Sequence, residues 1–112
     1  YSLAGRFAIE NLNQVYANKV FLGVDGISVK HGCTVPTDVE AEVVRRMIER
    51  TKGQVIVVAD HSKWGVVSNF EVASIEEVDK FISDNGLPHS ALQSLAERGV
   101  SCLLADIAFA LP

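Results

Sequence analysis

The chain is short of several things, and each shortage closes off a class of function. Only Cys33 and Cys102 are cysteines, far apart and in no CxxC spacing. Neither a disulfide framework nor a zinc ribbon is expected, and free thiols in a reducing compartment are. Lys and Arg number 10 against 14 Asp and Glu, a formal charge of -4, so there is no basic excess to grip a phosphate backbone. No apolar run approaches the roughly 18 residues that span a bilayer, and no membrane partner is expected. The opening "YSLAGRFAIE" has neither an initiator Met nor a signal-peptide pattern, so a piece of a longer chain is expected. Internal repeats and low-complexity tracts are also missing.

What the sequence does have is apolar content: 48% of its 112 residues are hydrophobic, enough for one globular domain with a single core. Leu3, Ala4, Phe7, Ala8 and Leu12 recur at helical spacing, so residues 2–16 read as an amphipathic helix with Ser2 at its N-cap. "KVFLGV" (19–24) and "QVIVVA" (54–59) are runs suited to strands covered on both faces. Between them, "DGISVKHGCTVP" (25–36) has no clear period and reads as a long loop. "PTDVEAEVVRRMIERTKG" comes next as a helix, with Thr37 and Glu40 in a capping-box pattern and Gly53 closing it. Ser74 and Glu77 repeat that pattern in "SIEEVD". "KFIS" (80–83) and "VSCLLA" (100–105) are further strands, joined by a helix that starts at Pro88 and stops at Gly99. Strands alternating with helices predict an α/β fold: a Rossmann-like parallel sheet with flanking helices and right-handed crossovers.

In an open parallel sheet, ligands bind beyond the carboxyl ends of the strands. Those ends here are "GVDG" and "VADHSK", so Asp25 and Asp60 emerge on one edge and Lys63 comes one turn later. A long loop after the first strand also points to function. Carboxylates accept hydrogen bonds from sugar hydroxyls, and an ammonium meets a phosphate as a point charge, so the set suits a sugar phosphate. From chemistry alone the simpler reading is a polar turn with a surface ion pair.

Other motifs carry less. Asp60, His61 and Ser62 hold the letters of a hydrolase triad, but consecutive side chains diverge and no G-x-S-x-G elbow is present. His31 and Cys33 lack the further ligands of a four-coordinate metal site, and no metal or cofactor is expected. "GVDG" has the letters of a hairpin turn, although the residues after it do not read as a returning strand. Trp64 is expected to pack at the core edge, with stacking on a sugar ring as the alternative. Glu40 is read from its spacing as a helix cap, and Arg45, Arg46 and Arg50 as a solvated helix face open to an oligomer partner.

"FLGVDGI", the approach from Thr34 through Glu40 into "EAEVVRRMI", and "VADHSKWG" occur here in order, with "FEVASIEEVDKFISDNGLP" behind them. Together they resemble the C-terminal effector-binding domain of DeoR-family bacterial transcriptional repressors, over nearly the whole chain. The resemblance implies a fold related to ribose-5-phosphate isomerase and the coenzyme A transferases, with a phosphorylated sugar or related metabolite as effector. It places effector-binding roles on Asp60 and Lys63, on Asp25 and Gly26, and on Glu40. Val44 departs from the pattern, where family members often carry Lys. The helix-turn-helix that would bind operator DNA, and the first part of the sensor, are not in these 112 residues, so residues 1–112 are expected to be a partial effector-binding domain. A cytoplasmic bacterial protein acting as a homo-oligomer is implied, since paired half-sites are read by symmetric repressors. The rival is an enzyme of the same fold, a sugar-phosphate isomerase or a transferase. Against it, the isomerases' Asp-Gly-Ala-Asp-Glu motif is reduced here to "VDGIS".

Overall fold

The structure is a computed structural model in which residues 16–105 are described. The helix expected over residues 2–16 lies outside them except for Tyr16. The elements are β1 (Ala17–Gly23), β2 (Gly26–Ser28), β3 (Gly32–Val35), α1 (Asp38–Glu49), β4 (Thr51–Val58), β5 (Phe70–Ala73), β6 (Lys80–Asp84), α2 (His89–Glu97) and β7 (Ser101–Ala105). Strands β1, β4, β6 and β7 pair in that order, all parallel. This is the α/β sheet that the four apolar runs predict. Among the described residues no helix is long and apolar enough to cross a membrane.

Each strand of the parallel sheet lies on the same side of the one before it, so right-handed crossovers all land on a single face. Val20, Leu22 and Val55 line that face under Val44, Met47 and Ile48 of α1. Val57 and Phe81 continue it in one cluster with Ala91 and Leu95 of α2. The opposite face holds Phe21 beside Ile56, then Val58, Ile82 and Leu103 in register. Ile56 is buried, but Phe21, Val58 and Leu103 are 60%, 43% and 56% exposed. The full two-sided cover expected for β1 and β4 is therefore met on one side among the described residues.

The period-free stretch after β1 is not a loop. Gly26–Ser28 and Gly32–Val35 form an antiparallel hairpin, and β5 joins β3 to complete a second, three-stranded sheet. Its inward side chains, Ile27, Cys33, Val35, Val72 and Ala73, belong to the main core. Neither sequence reading of this stretch holds: the hairpin turns at residues 29–31, and "GVDG" is the link from β1 to β2, two strands that do not pair. Strands of three or four residues are too short to show alternation, and β5 lies more than thirty residues from its partner.

Local chemistry explains the helix ends. Thr37 caps α1 by accepting the Glu40 N–H at 3.2 Å, but the reciprocal half of the expected box is not made, and Glu40 Oε2 is buried with no hydrogen-bond partner. The helix ends at Arg50, before Gly53, where the Thr51 hydroxyl donates to the Met47 carbonyl at 2.7 Å and β4 begins at once. At Ser74 the expected pairing with Glu77 is present, the Ser74 N–H donating to Oε1 at 2.8 Å. Helix α2 closes with Gly99 at φ 81°, while the Val100 N–H reaches the Leu95 carbonyl at 2.9 Å and the Gly99 N–H that of Ala96 at 3.1 Å. That pair of bonds needs a left-handed residue, which glycine supplies without steric cost.

Phe81 is fully buried in β6, one of the two central strands. Phe81→Ala is expected to cost about 3–5 kcal/mol in urea unfolding, the usual range for a large cavity. Phe21→Ala, on the exposed face, is expected to stay within about 0.5 kcal/mol in the same chain.

Candidate functional site

The carboxyl ends of β1 and β4 lie side by side, with Gly23 opposite Val58. Asp25 follows the first and Asp60 the second, so the expected sharing of one edge holds, and no bond joins the two carboxylates. Asp25 is exposed, and its N–H donates to the Thr34 carbonyl at 3.0 Å, which starts the hairpin. Gly26 is buried beside it; a Cβ there would sit 2.2 Å from the Val66 carbonyl oxygen, so this position keeps the hairpin tight against the segment after the 3₁₀ turn. Helix α1 runs back from the same edge, which brings its first turn, with Glu40, to the carboxyl side of the sheet.

Asp60 caps a 3₁₀ turn over His61–Lys63. Its carboxylate accepts the Ser62 hydroxyl and, at 2.8 Å, the Ser62 N–H; its carbonyl accepts the Lys63 N–H at 3.1 Å. The Ser62 hydroxyl, then its N–H, and the nearby Lys63 ammonium hold the Asp60 carboxyl below the usual range. An exposed, hydrogen-bonded carboxylate and a half-exposed lysine thereby share one turn.

The organising residue of the turn went unread in the sequence. Asp84, the last residue of β6, is 5% exposed and accepts the His61 N–H at 3.0 Å, the imidazole Nδ1 at 2.8 Å and the Gly86 N–H at 2.8 Å. These bonds, led by the His61 N–H, hold its carboxyl below the usual range. Asp60, His61 and Asp84 bring ligand atoms within 4.8 Å of one another, while His31 and Cys33 form no such group. The signal that could have found Asp84 is its place at the end of the strand next to β4, which requires the strand order.

The lesser candidates resolve individually. Ser62 is bonded to Asp60 and His61 to Asp84, so these two side chains do not pair as nucleophile and base. Trp64 packs against the core, as expected at a core edge. Of the arginines, Arg46 pairs with Glu49 at 2.9 Å on the surface, Arg45 reaches across to the Val72 carbonyl at 3.2 Å, and Arg50 lies over the Tyr16 ring at 3.8 Å. Arg45 is exposed and Arg46 and Arg50 half-exposed, so the solvated face that the sequence predicts is present, with its arginines engaged in these contacts.

Burial, with Glu77 and Glu71 nearby, pushes the Cys33 thiol up to about 12. Cys33 is therefore expected to stay unreactive toward a thiol reagent at neutral pH until the protein unfolds, while half-buried Cys102 is labelled first; mass mapping of the adducts checks this. Asp84 supplies a pH test. Because its folded pKa lies below the unfolded value, its stabilisation is present above about pH 4 and is lost as pH falls through the folded value. The stability gap between the native protein and Asp84→Asn is thus expected to narrow on acidification, as read from urea midpoints.

Sequence comparison bears on the identity of this arrangement. The profile of the DeoR C terminal sensor domain matches residues 1–85. The chain is 40% identical over 105 residues to the HTH-type transcriptional repressor GlcR of Bacillus subtilis, covering 93% of this chain and 40% of that protein. It is 33% identical over 100 residues to the HTH-type transcriptional regulator GlpR of Haloferax volcanii, covering 89% and 39%, and 24% identical over 106 residues to the HTH-type transcriptional regulator GolR of Listeria innocua, covering 95% and 41%. It spans about two fifths of the length of these relatives. With its parallel sheet and its motifs in order, the chain belongs to the DeoR C-terminal sensor domain family of transcriptional regulators.

Proposed function

We propose that this chain is part of the effector sensor of a cytoplasmic bacterial repressor and binds a phosphorylated sugar at the carboxyl edge of its parallel sheet. The observation that carries the reading is the 3₁₀ turn after β4, which the Asp60 carboxylate caps and which carries Lys63, beside the exit of β1. Lys63 takes the phosphate; Asp25 and Asp60 accept sugar hydroxyls. Glu40 adds a third acceptor, since its buried, unpartnered oxygen at the same edge is a group that a ligand hydroxyl would satisfy. Gly26 contributes by holding the hairpin close.

The reading extends to the whole regulator. The helix-turn-helix and the first part of the sensor lie outside these residues, and operator DNA is bound there. The exposed row of Phe21, Val58 and Leu103 suits cover by the rest of the sensor, because parallel sheets are stable with both faces covered. The regulator works as a homo-oligomer and turns over no substrate: the ligand acts by binding two arrangements with different affinity.

Calorimetric titration of the intact regulator with a panel of aldose and ketose phosphates tests this. Lys63→Ala is expected to weaken binding by about tenfold or more, the worth of a charge-assisted hydrogen bond. Equal binding by that variant, or aldose–ketose turnover by the native protein, would overturn it.

A further inference from the structure

The turn after β4 also holds an imidazole to which the proposed ligand contacts give no role. His61 is fixed from three directions. Asp84 Oδ2 takes its backbone N–H, Asp84 Oδ1 takes Nδ1, and Gly86 leaves the room the ring occupies. A Cβ at position 86 would stand 2.6 Å from Nδ1 and 2.8 Å from Cγ of the ring, so any larger residue would displace it. Asp84 is an ionised acceptor, which puts the proton of the neutral ring on Nδ1 and leaves the Nε2 lone pair facing away from the bond. The side chain is nevertheless 54% exposed. An exposed ring with one nitrogen tied to a buried carboxylate presents the other nitrogen in a fixed direction.

We infer that His61 is a ligand-contacting residue of this site, its Nε2 meeting the anionic end of the ligand beside Lys63, with Asp84 as the positioning residue. The inference rests on the reading of the turn as an anion site. The acidic groups close to the ring are Asp84 from β6 and Asp60 from its own turn, with Lys63 two residues further along that turn. An arriving phosphate dianion favours the imidazolium over the neutral ring. Binding therefore takes a proton from buffer onto Nε2, which becomes a charged donor to a phosphate oxygen. The resulting selectivity is for dianionic phosphates over neutral sugars.

The test is calorimetry of the intact regulator near pH 7.5 in buffers of different ionisation enthalpy, titrating glucose 6-phosphate, fructose 6-phosphate and inorganic phosphate. The native protein is expected to take up protons on binding. His61→Asn keeps a donor for Asp84 but has nothing at the Nε2 position; it is expected to bind roughly tenfold more weakly, with the uptake reduced to that of the ligand itself. His61→Gln, whose amide reaches the Nε2 position, is expected to recover affinity without recovering the uptake. Asp84→Asn is expected to retain binding with diminished uptake. If His61→Asn matches the native protein in affinity and proton uptake while Lys63→Ala loses binding, the role of His61 is overturned and the anion site stands. If the native protein binds none of the three anions, the site reading fails and takes this inference with it.

Discussion

The direction in which the parallel sheet grows constrains almost everything else in the molecule. Strands β1, β4, β6 and β7 are laid down in spatial order, and right-handed crossovers place α1, α2 and the small antiparallel sheet on one face. That regularity has two consequences. The strands deliver their carboxyl ends to a single edge, where Asp25, Asp60 and Asp84 accumulate although they lie far apart in sequence. The second face is left with Phe21, Val58 and Leu103 toward solvent, an apolar row of a kind that larger assemblies cover.

Accumulating carboxylates on one edge would be unfavourable unless each were satisfied, and the structure treats the three differently. Asp84 is the most buried, and it accepts three hydrogen bonds from His61 and Gly86, so its charge is compensated by donors rather than by solvent. Asp60 is exposed and is held by the turn that it caps. Asp25 is exposed and carries no such restraint on its side chain among the described hydrogen bonds. The order of burial is also an order of role: Asp84 ties the exit of β6 to the exit of β4, Asp60 sets the turn, and Asp25 is left available.

The sequence made the four parallel strands and both helices legible because each carries its own signal: β-branched runs such as "QVIVV", the Thr37 cap, and Gly99 after α2. It concealed the hairpin and β5, whose identity comes from pairing rather than pattern. Cys33 and Val35 are inward only because β5 lies across from them, and no local rule brings Phe70 opposite Val35. The site was half legible for the same reason. Asp60 and Lys63 share a turn and could be read together, whereas Asp84 is 23 residues from His61 and meets it only because β6 pairs with β4. The triad letters around His61 do not meet as a serine–imidazole pair, since Ser62 is bonded to Asp60 and His61 to Asp84. Its place as a held ring depends on a partner that spacing could not name.

The arrangement also decides which end of a ligand faces which element in the proposed site. Helix N-termini attract anions, and α1 begins on this edge, but Asp38 and Glu40 occupy its first turn. Their charges oppose the helix dipole's pull on a phosphate and leave acceptors there for hydroxyls instead. The cation sits across the edge on the turn after β4, where Lys63 and His61 share three residues of chain. A ligand with hydroxyls at one end and a dianion at the other is thereby oriented with its hydroxyls toward α1 and its phosphate toward the turn. The reverse orientation would set phosphate against Glu40, whose buried oxygen has no donor to share. Polarity across the edge, more than any single contact, is what supports a sugar phosphate as the proposed ligand class.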